Sequence, residues 1–163
     1  MKRLLADTNI YGELALDKEY ELLKNKIKST CIVHGFEIVR RELRAVPKNA
    51  VLNDRKLRLA LLHIYDEITK KSYPLTLEIE ELCRYYFKEY RAFGGSKSFD
   101  KLHNDFCVVA CATIHQIDIV VSEDNKSMLV ENALKAYDLV NEHNNRKTPR
   151  FIGYLEFKRW LSG

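Results

Sequence analysis

Residues 3–14 decide the fold of this chain, and they read RLLADTNIYGEL. The apolar part, Arg3 to Ala6, predicts a short strand that ends on Asp7. Asp7 or Thr8 can then cap a helix that runs to Leu14 and onward, because short polar side chains accept hydrogen bonds from the free N–H groups of a first helical turn. A strand that passes directly into a helix is the opening unit of an α/β fold.

The same alternation of strand and helix continues along the chain. A second apolar run, Cys31 to His34, precedes a helix over Phe36 to Val46 that Pro47 ends. Further on, a nearly all-apolar helix over Asn104 to Gln116 leads into a strand over Asp118 to Ser122. We therefore predict a three-layer α/β/α fold, in which a mostly parallel sheet of about four to five strands has helices on both faces.

The middle and the end of the chain predict further elements within one domain over residues 1–163. Between Val51 and Phe93 the apolar spacing predicts a helical insertion of two long helices, separated near Ser72-Tyr73-Pro74. Gly94 to Ser98 form a flexible stretch that is too short to link independent domains. The closing elements are predicted as a helix at 127–142, a strand at 151–152 and a helix at 154–161.

Composition and charge exclude the unusual classes of protein. With 46% hydrophobic and 31% charged residues, the chain is typical of a globular protein. It contains no run of eighteen apolar residues, so we expect no membrane span and a cytoplasmic location. The net charge of +4 permits a nucleic-acid partner without requiring one. The cysteines lack CxxC spacing and histidines at zinc-ligand intervals, so we expect buried apolar roles for Cys31, Cys83, Cys107 and Cys111.

Two aspartates, Asp7 and Asp124, follow predicted strands directly. In an open parallel sheet, ligands collect at the carboxyl ends of the strands near the point where the strand order reverses. Two acids that emerge at one edge of the sheet are therefore expected to be neighbours, although they are far apart in sequence. Taken singly, each aspartate also fits an ordinary turn or helix cap.

Glu42 is the candidate acid on the helix predicted over residues 36–46. Its neighbours one helical turn away are apolar: Ile38, Val39, Ala45 and Val46. The rival acid, Glu37, has Arg40 and Arg41 at i+3 and i+4 and fits a surface ion pair. The two acids cannot face one site, because five residues rotate a helix by roughly 140°. We therefore choose Glu42.

Asp105 lies on the buried side of its predicted helix, with Val108, Val109 and Ala112 on the same face. A carboxylate in that position needs a partner. Its place in the first turn also allows a purely structural role, because the helix dipole favours negative charge there. Asp100 lies in a predicted polar loop and fits a turn residue.

Clustered carboxylates need a cation. At roughly 4 Å, in a medium of effective dielectric about 20, each pair of carboxylates repels by about 4 kcal/mol. An all-oxygen ligand set without histidine or thiolate favours a hard ion, Mg²⁺ or Mn²⁺, over zinc. Such an ion typically also holds substrate phosphates.

These residues together resemble the PIN-domain family, the nuclease fold of bacterial and archaeal VapC-type toxins and of RNA-processing enzymes. The resemblance covers essentially the whole chain. It rests on Asp7-Thr8-Asn9 after the first strand, Arg41-Glu42-Leu43, Asp105 at the start of DFCVVACA, and Ser122-Glu123-Asp124 after the later strand.

The resemblance implies a metal-dependent endoribonuclease that leaves 5′-phosphate and 3′-hydroxyl ends. The catalytic and metal-binding residues it implies are Asp7, Glu42, Asp105 and Asp124, which would ligate one or two Mg²⁺ or Mn²⁺ ions. The residues expected to support them by hydrogen bonds are Thr8, Asn9 and Ser122. The basic residues expected to contact RNA phosphates are Arg40, Arg41, Arg44 and Lys97, each of which also fits an ordinary solvated surface.

The resemblance also implies partners for the chain, and the sequence departs from the family pattern in two places. A VapC-type toxin implies an RNA substrate and an antitoxin protein, and the family suggests a homodimer. The segment between Val51 and Phe93 is longer than the family pattern. Because Glu123 stands beside Asp124, the identity of the fourth acid is open by one position.

Other functions fit the sequence less well. A phosphatase of the haloacid dehalogenase type needs a second aspartate at position nine, which is Asn9 here. A receiver-type signalling domain needs paired acids near the first strand and a lysine after a late strand, a pattern we do not find. A housekeeping RNA-processing enzyme and a catalytically silent PIN-type scaffold are the remaining alternatives. Retention of mutually repelling acids argues against the silent scaffold.

Overall fold

A computed structural model describes all residues of the chain, 1–163. They form seven strands and eight helices, joined by turns and loops. In chain order these are β1 (Lys2–Ala6), α1 (Thr8–Leu16), α2 (Tyr20–Thr30), β2 (Cys31–Phe36), α3 (Glu37–Arg44), β3 (Val51–Leu52), β4 (Arg55–Lys56), α4 (Leu57–Ile68), β5 (Thr69–Tyr73), α5 (Leu77–Ala92), α6 (Phe99–Ile114), β6 (Ile119–Val121), α7 (Glu131–His143), β7 (Arg150–Ile152) and α8 (Tyr154–Ser162). None of the helices combines the length and the apolar composition that a membrane crossing needs.

Five strands form one parallel sheet in the order β5-β2-β1-β6-β7, flanked by helices. The chain leaves the central strand β1 for β2 and β5 on one side, and only later adds β6 and β7 on the other. The strand order therefore reverses between β1 and β6, where ligands collect in such sheets. Because Ala6 pairs with Val121, the residues that follow these two strands leave the sheet side by side. The predicted α/β fold with a parallel sheet is confirmed.

The second half of helix α6 is deeply buried. Every residue from Phe106 to Ala112 has no exposed surface, which explains its nearly continuous apolar sequence. α6 contacts β6, α3 and α5, so its first turns lie close to the end of the central strands. All four cysteines are buried and free, as predicted.

The region predicted as a helical insertion is more varied than its apolar spacing indicates. Helices α4 and α5 are present, but Ser72-Tyr73-Pro74 is not a simple separator, because Thr69–Tyr73 form the edge strand β5. The middle of β5 is exposed, so it lacks the apolar run that marks a buried strand. A short hairpin of β3 and β4 precedes α4, with Asn53 and Asp54 in the left-handed conformation of tight hairpin turns.

The helix that begins after β1 extends past Leu14, as predicted, and ends at Leu16. The side chain of Asp17 accepts the backbone N–H of Glu19 at 2.9 Å and forms a local turn there. The helix α6 begins at Phe99, one turn earlier than predicted. Asp100 therefore lies in its first turn and not in a loop, and the helix dipole favours its charge there.

Candidate metal centre

Asp7 occupies the junction between β1 and α1, where it is the N-cap of the helix. Its carboxylate accepts the backbone N–H of Thr8 at 2.8 Å and the hydroxyl of Ser122 at 2.8 Å. The residue is only 4% exposed. Burial raises the pKa of Asp7 to about 6, although both hydrogen bonds oppose the rise.

Ser122 connects Asp7 to Asp124. Its hydroxyl donates to Asp7 and accepts the backbone N–H of Asp124 at 3.0 Å. The other side of Asp124 is held by the backbone N–H groups of Lys126 and Ser127, which donate to Oδ1 at 3.1 Å and 2.9 Å. The turn after β6 therefore fixes the positions of both carboxylates. Sequence reasoning missed Lys126 and Ser127, although an aspartate followed by short polar residues is typical of such a turn.

Asp105 approaches these two acids from α6. One carboxylate oxygen from each of Asp7, Asp105 and Asp124 lies within 4.8 Å of the other two. Burial raises the pKa of Asp105 to about 8, and the nearby charges of Asp124 and Asp7 contribute to the rise. Without a cation, the Asp105 carboxyl group therefore keeps its proton at neutral pH. We call these three acids the acidic group.

Glu42 lies on α3 at the rim of the acidic group. Its Oε1 accepts the hydroxyl of Thr8 at 2.7 Å, so the residue after Asp7 holds a further acid in place. The charge of Glu42 adds to the raised pKa of both Asp7 and Asp105. Its oxygens are not among those that converge within 4.8 Å.

Glu123 points away from the acidic group. Its side chain accepts the backbone N–H of Tyr154, the first residue of α8, where the helix dipole favours a carboxylate. The backbone N–H of Glu123 donates to Asn9 Oδ1 at 3.2 Å. Of the two adjacent acids, the structure therefore brings Asp124 to Asp7. Asn9 supports the turn after β6 rather than a carboxylate.

The acidic group fits a hard divalent cation. Its donors are all carboxylate oxygens, the ligands that Mg²⁺ and Mn²⁺ prefer. The raised pKa values of Asp7 and Asp105 show that the protein alone does not compensate the negative charges. A divalent ion bound here would replace the protons that these buried carboxyl groups otherwise retain.

The arginines predicted to contact phosphates lie outside the acidic group. Arg40, Arg41 and Arg44 line a surface depression of about 490 Å³. Arg40 and Arg44 occupy the face of α3 opposite to Glu42, because two residues rotate a helix by roughly 200°. Arg41 forms the predicted i,i+4 ion pair with Glu37, at 2.6 Å.

Lys97 is tied to the turn after β6. Its ammonium group donates to the carbonyl of Lys126 and to the hydroxyl of Ser127, the latter at 2.9 Å. Its backbone N–H donates to the Tyr90 hydroxyl at 3.1 Å. The segment predicted as flexible, residues 94–98, is therefore linked through Lys97 to the turn that positions one of the acids.

Comparison with known proteins gives matches in fold and not in sequence. No protein-family model matches the chain, and no curated protein matches it. A structure of VapBC2 from Rickettsia felis, bound to a DNA fragment from its promoter, has a chain similar to this one. The TM-score is 0.61 at 12% identity over 93% of this chain and 98% of that chain.

Two further solved structures share the fold. A chain of FitAB bound to an IR36 DNA fragment gives a TM-score of 0.58 at 16% identity, over 93% of this chain and 94% of that one. A chain of DNA-bound VapBC from Salmonella typhimurium gives 0.60 at 12% identity, over 94% and 99%. These likenesses confirm the fold that the resemblance to PIN domains implies.

Proposed function

We propose that the chain is a divalent-metal-dependent endoribonuclease that hydrolyses phosphodiester bonds of RNA. The observation that carries this proposal is the convergence of Asp7, Asp105 and Asp124 where the strand order of the sheet reverses. Carboxyl groups whose pKa values rise to about 6 and about 8 through burial favour a bound cation over the ionised, ion-free state.

The residues of the acidic group would hold Mg²⁺ or Mn²⁺, with Glu42 as a further acid. When bound, such an ion supplies a hydroxide-like nucleophile at neutral pH and stabilises charge on the leaving oxygen. Ser122 fixes Asp7 and Asp124 relative to each other, and Thr8 fixes Glu42. Preorganised ligands of this kind lose little freedom when the ion arrives. The expected products carry 5′-phosphate and 3′-hydroxyl ends.

RNA would be cleaved at the acidic group, and its adjoining backbone phosphates would contact the basic surface of α3. Arg40, Arg41 and Arg44 line an open depression there, with Arg40 and Arg44 on the face of the helix opposite to Glu42. Lys97 is a further proposed contact. If its ammonium group gave up the hydrogen bond to the carbonyl of Lys126 and bound a phosphate instead, the turn after β6 would lose one of its supports. Such contacts position a backbone and do not read sequence.

A toxin role in a toxin–antitoxin pair is the specific biological function we propose. It is supported by the likeness of the fold to chains of the VapBC and FitAB complexes. An antitoxin protein and a second copy of the chain are the proposed partners. Expression of the wild-type chain should then arrest bacterial growth, whereas an Asp7→Asn variant should not. Growth that is unaffected by a soluble, RNA-cleaving wild-type chain would contradict the toxin role.

The nuclease activity is tested with purified protein and a structured RNA labelled at its 5′ end. Cleavage should require Mg²⁺ or Mn²⁺, stop with EDTA, and be lost in Asp7→Asn. Asp138→Asn, an exposed aspartate on α7, is the matched control and should cut normally. RNA binding without cleavage in any metal would contradict the nuclease and favour a silent scaffold.

A further inference from the structure

A second cluster of metal-binding side chains lies between α5 and α6. Glu80 and Cys83 face α6 from one helix, and His103 and Cys107 face α5 from the other. Ligand atoms of Cys83, His103 and Cys107 lie within 4.8 Å of one another. Both pairs have the i,i+3 or i,i+4 spacing that places two side chains on one helical face. Local spacing does not reveal this cluster, because its ligands come from two helices.

One distance in the cluster matches a tetrahedral zinc site. His103 Nε2 lies 3.5 Å from Cys107 Sγ and 2.8 Å from Glu80 Oε2. A tetrahedral ion with Zn–S of about 2.3 Å and Zn–N of about 2.05 Å separates its sulfur and nitrogen ligands by about 3.6 Å. The Glu80 carboxylate would have to move away from His103 to become a ligand, because nitrogen and oxygen ligands of one tetrahedral ion lie about 3.3 Å apart.

The surroundings of His103 support a ligand role. Without an ion, His103 Nε2 donates to the Glu80 carboxylate, 2.8 Å from Oε2. When an ion replaces that proton, Nδ1, which lies 3.0 Å from Asn104 Oδ1, can donate to this oxygen and orient the ring. Metal-binding histidines are usually oriented by such a bond from their second nitrogen. Cys83 and Cys107 are fully buried, whereas the side chains of His103 and Glu80 are 23% and 21% exposed. An ion can therefore enter from solvent past the imidazole and the carboxylate.

We propose that Cys83, His103, Cys107 and Glu80 form a structural Zn²⁺ site that links α5 to α6. Two thiolates and an imidazole select a soft or borderline ion, unlike the acidic group. Binding releases the two thiol protons to solvent and changes no oxidation state. Four protein ligands leave no open position, so the site is structural. It would brace the part of α6 that carries Asp105, which lies between His103 and Cys107.

The test uses the full chain, reduced and stripped of metal, titrated with Co²⁺ as a spectroscopic substitute for Zn²⁺. We expect thiolate-to-cobalt charge transfer in the near ultraviolet that is complete when one Co²⁺ is bound between α5 and α6, strong visible bands of tetrahedral Co²⁺, and displacement by Zn²⁺. Any Co²⁺ held by the carboxylates of the acidic group would add no thiolate charge transfer. The Asp7→Asn variant should give the same spectrum, so this result does not depend on the proposed nuclease. If the wild-type chain showed no charge-transfer band, the proposed site would be wrong. This test is made on the wild-type chain, so it does not depend on whether a variant folds.

Matched cysteine variants locate the ion. Cys107→Ala should weaken Zn²⁺ binding by at least about 10–100-fold, which is the usual effect of losing a residue that only supports a metal ligand. It should also remove about half of the charge-transfer intensity. Cys111→Ala is the control, because Cys111 is equally buried on the same helix but lies outside the cluster. A Cys107→Ala chain that keeps the wild-type spectrum, or equal losses in both variants, would refute the assignment.

Discussion

Neutralising Asp105 should stabilise the metal-free protein while it removes metal binding. In Asp105→Asn the side chain keeps its shape and cannot ionise, so unfolding no longer gains the ionisation that burial and the neighbouring acids disfavour in the folded state. The unfolded carboxyl loses its proton near pH 3.8 and the folded one near pH 8. Between these values the folded state binds more protons, so the stability of the wild-type chain falls as pH rises.

The size of the effect follows from the pKa of Asp105. A rise from 3.8 to about 8 corresponds to roughly 6 kcal/mol against the ionised folded form. Because the group is partly solvated, we expect the measured advantage of Asp105→Asn to grow by about 2 kcal/mol between pH 5 and pH 8.5. For a chain of this length that corresponds to about 4–8 °C in melting temperature.

The assay is thermal unfolding in EDTA and in Mn²⁺ across this pH range. In EDTA the advantage of Asp105→Asn should grow up to about pH 8 and then level off. Mn²⁺ should raise the melting temperature of the wild-type chain and leave that of the variant unchanged. Asp138→Asn serves as the control: it should gain no advantage that grows with pH, and Mn²⁺ should raise its melting temperature as it does for the wild type. An advantage that does not grow with pH, or equal stabilisation of wild type and variant by Mn²⁺, would refute the reasoning.

Three further substitutions probe the hydrogen bonds of the site and the packing of the chain. Ser122→Ala removes a hydroxyl that lowers the pKa of Asp7, so an NMR titration in EDTA should find that pKa above about 6; an unchanged or lower value would contradict the role of the hydroxyl. Gly35→Ala forces a methyl group against the Tyr65 side chain and should destabilise by about 1–3 kcal/mol in urea unfolding. Gly12→Ala meets no neighbour on α1 and should instead stabilise by about 0.5–1 kcal/mol, so equal effects of the two changes would argue against overpacking.

Two simple features of the sequence predicted that these acids lie close together: sheet topology and helical spacing. Asp7 and Asp124 follow strands of one parallel sheet, and topology alone brings such positions to one edge. Asp105 and Glu42 are acidic residues on the apolar faces of their helices, so both were expected to face the protein interior. The choice between Glu123 and Asp124 could not be made from sequence, because it depends on the backbone N–H of a residue in α8.

Other features depend on tertiary contacts that no local pattern records. The edge strand β5 has exposed residues in its middle, and its pairing with β2 is what defines it. The hydrogen bond from Thr8 to Glu42 joins two helices that are distant in sequence. The cluster of Cys83, His103 and Cys107 likewise forms only when α5 packs against α6. Spacing rules applied to one segment at a time miss all three.

The most direct test of the central claim is the rate of RNA cleavage as a function of Mn²⁺ concentration, with Mn²⁺ binding measured calorimetrically on the same preparations. We expect the wild-type rate to follow occupancy of the site, and both binding and cleavage to be lost in Asp105→Asn while the variant stays folded. Cleavage that persists in EDTA, or a folded Asp105→Asn chain that binds Mn²⁺ and cuts like the wild type, would contradict a metal-dependent nuclease built on these acids.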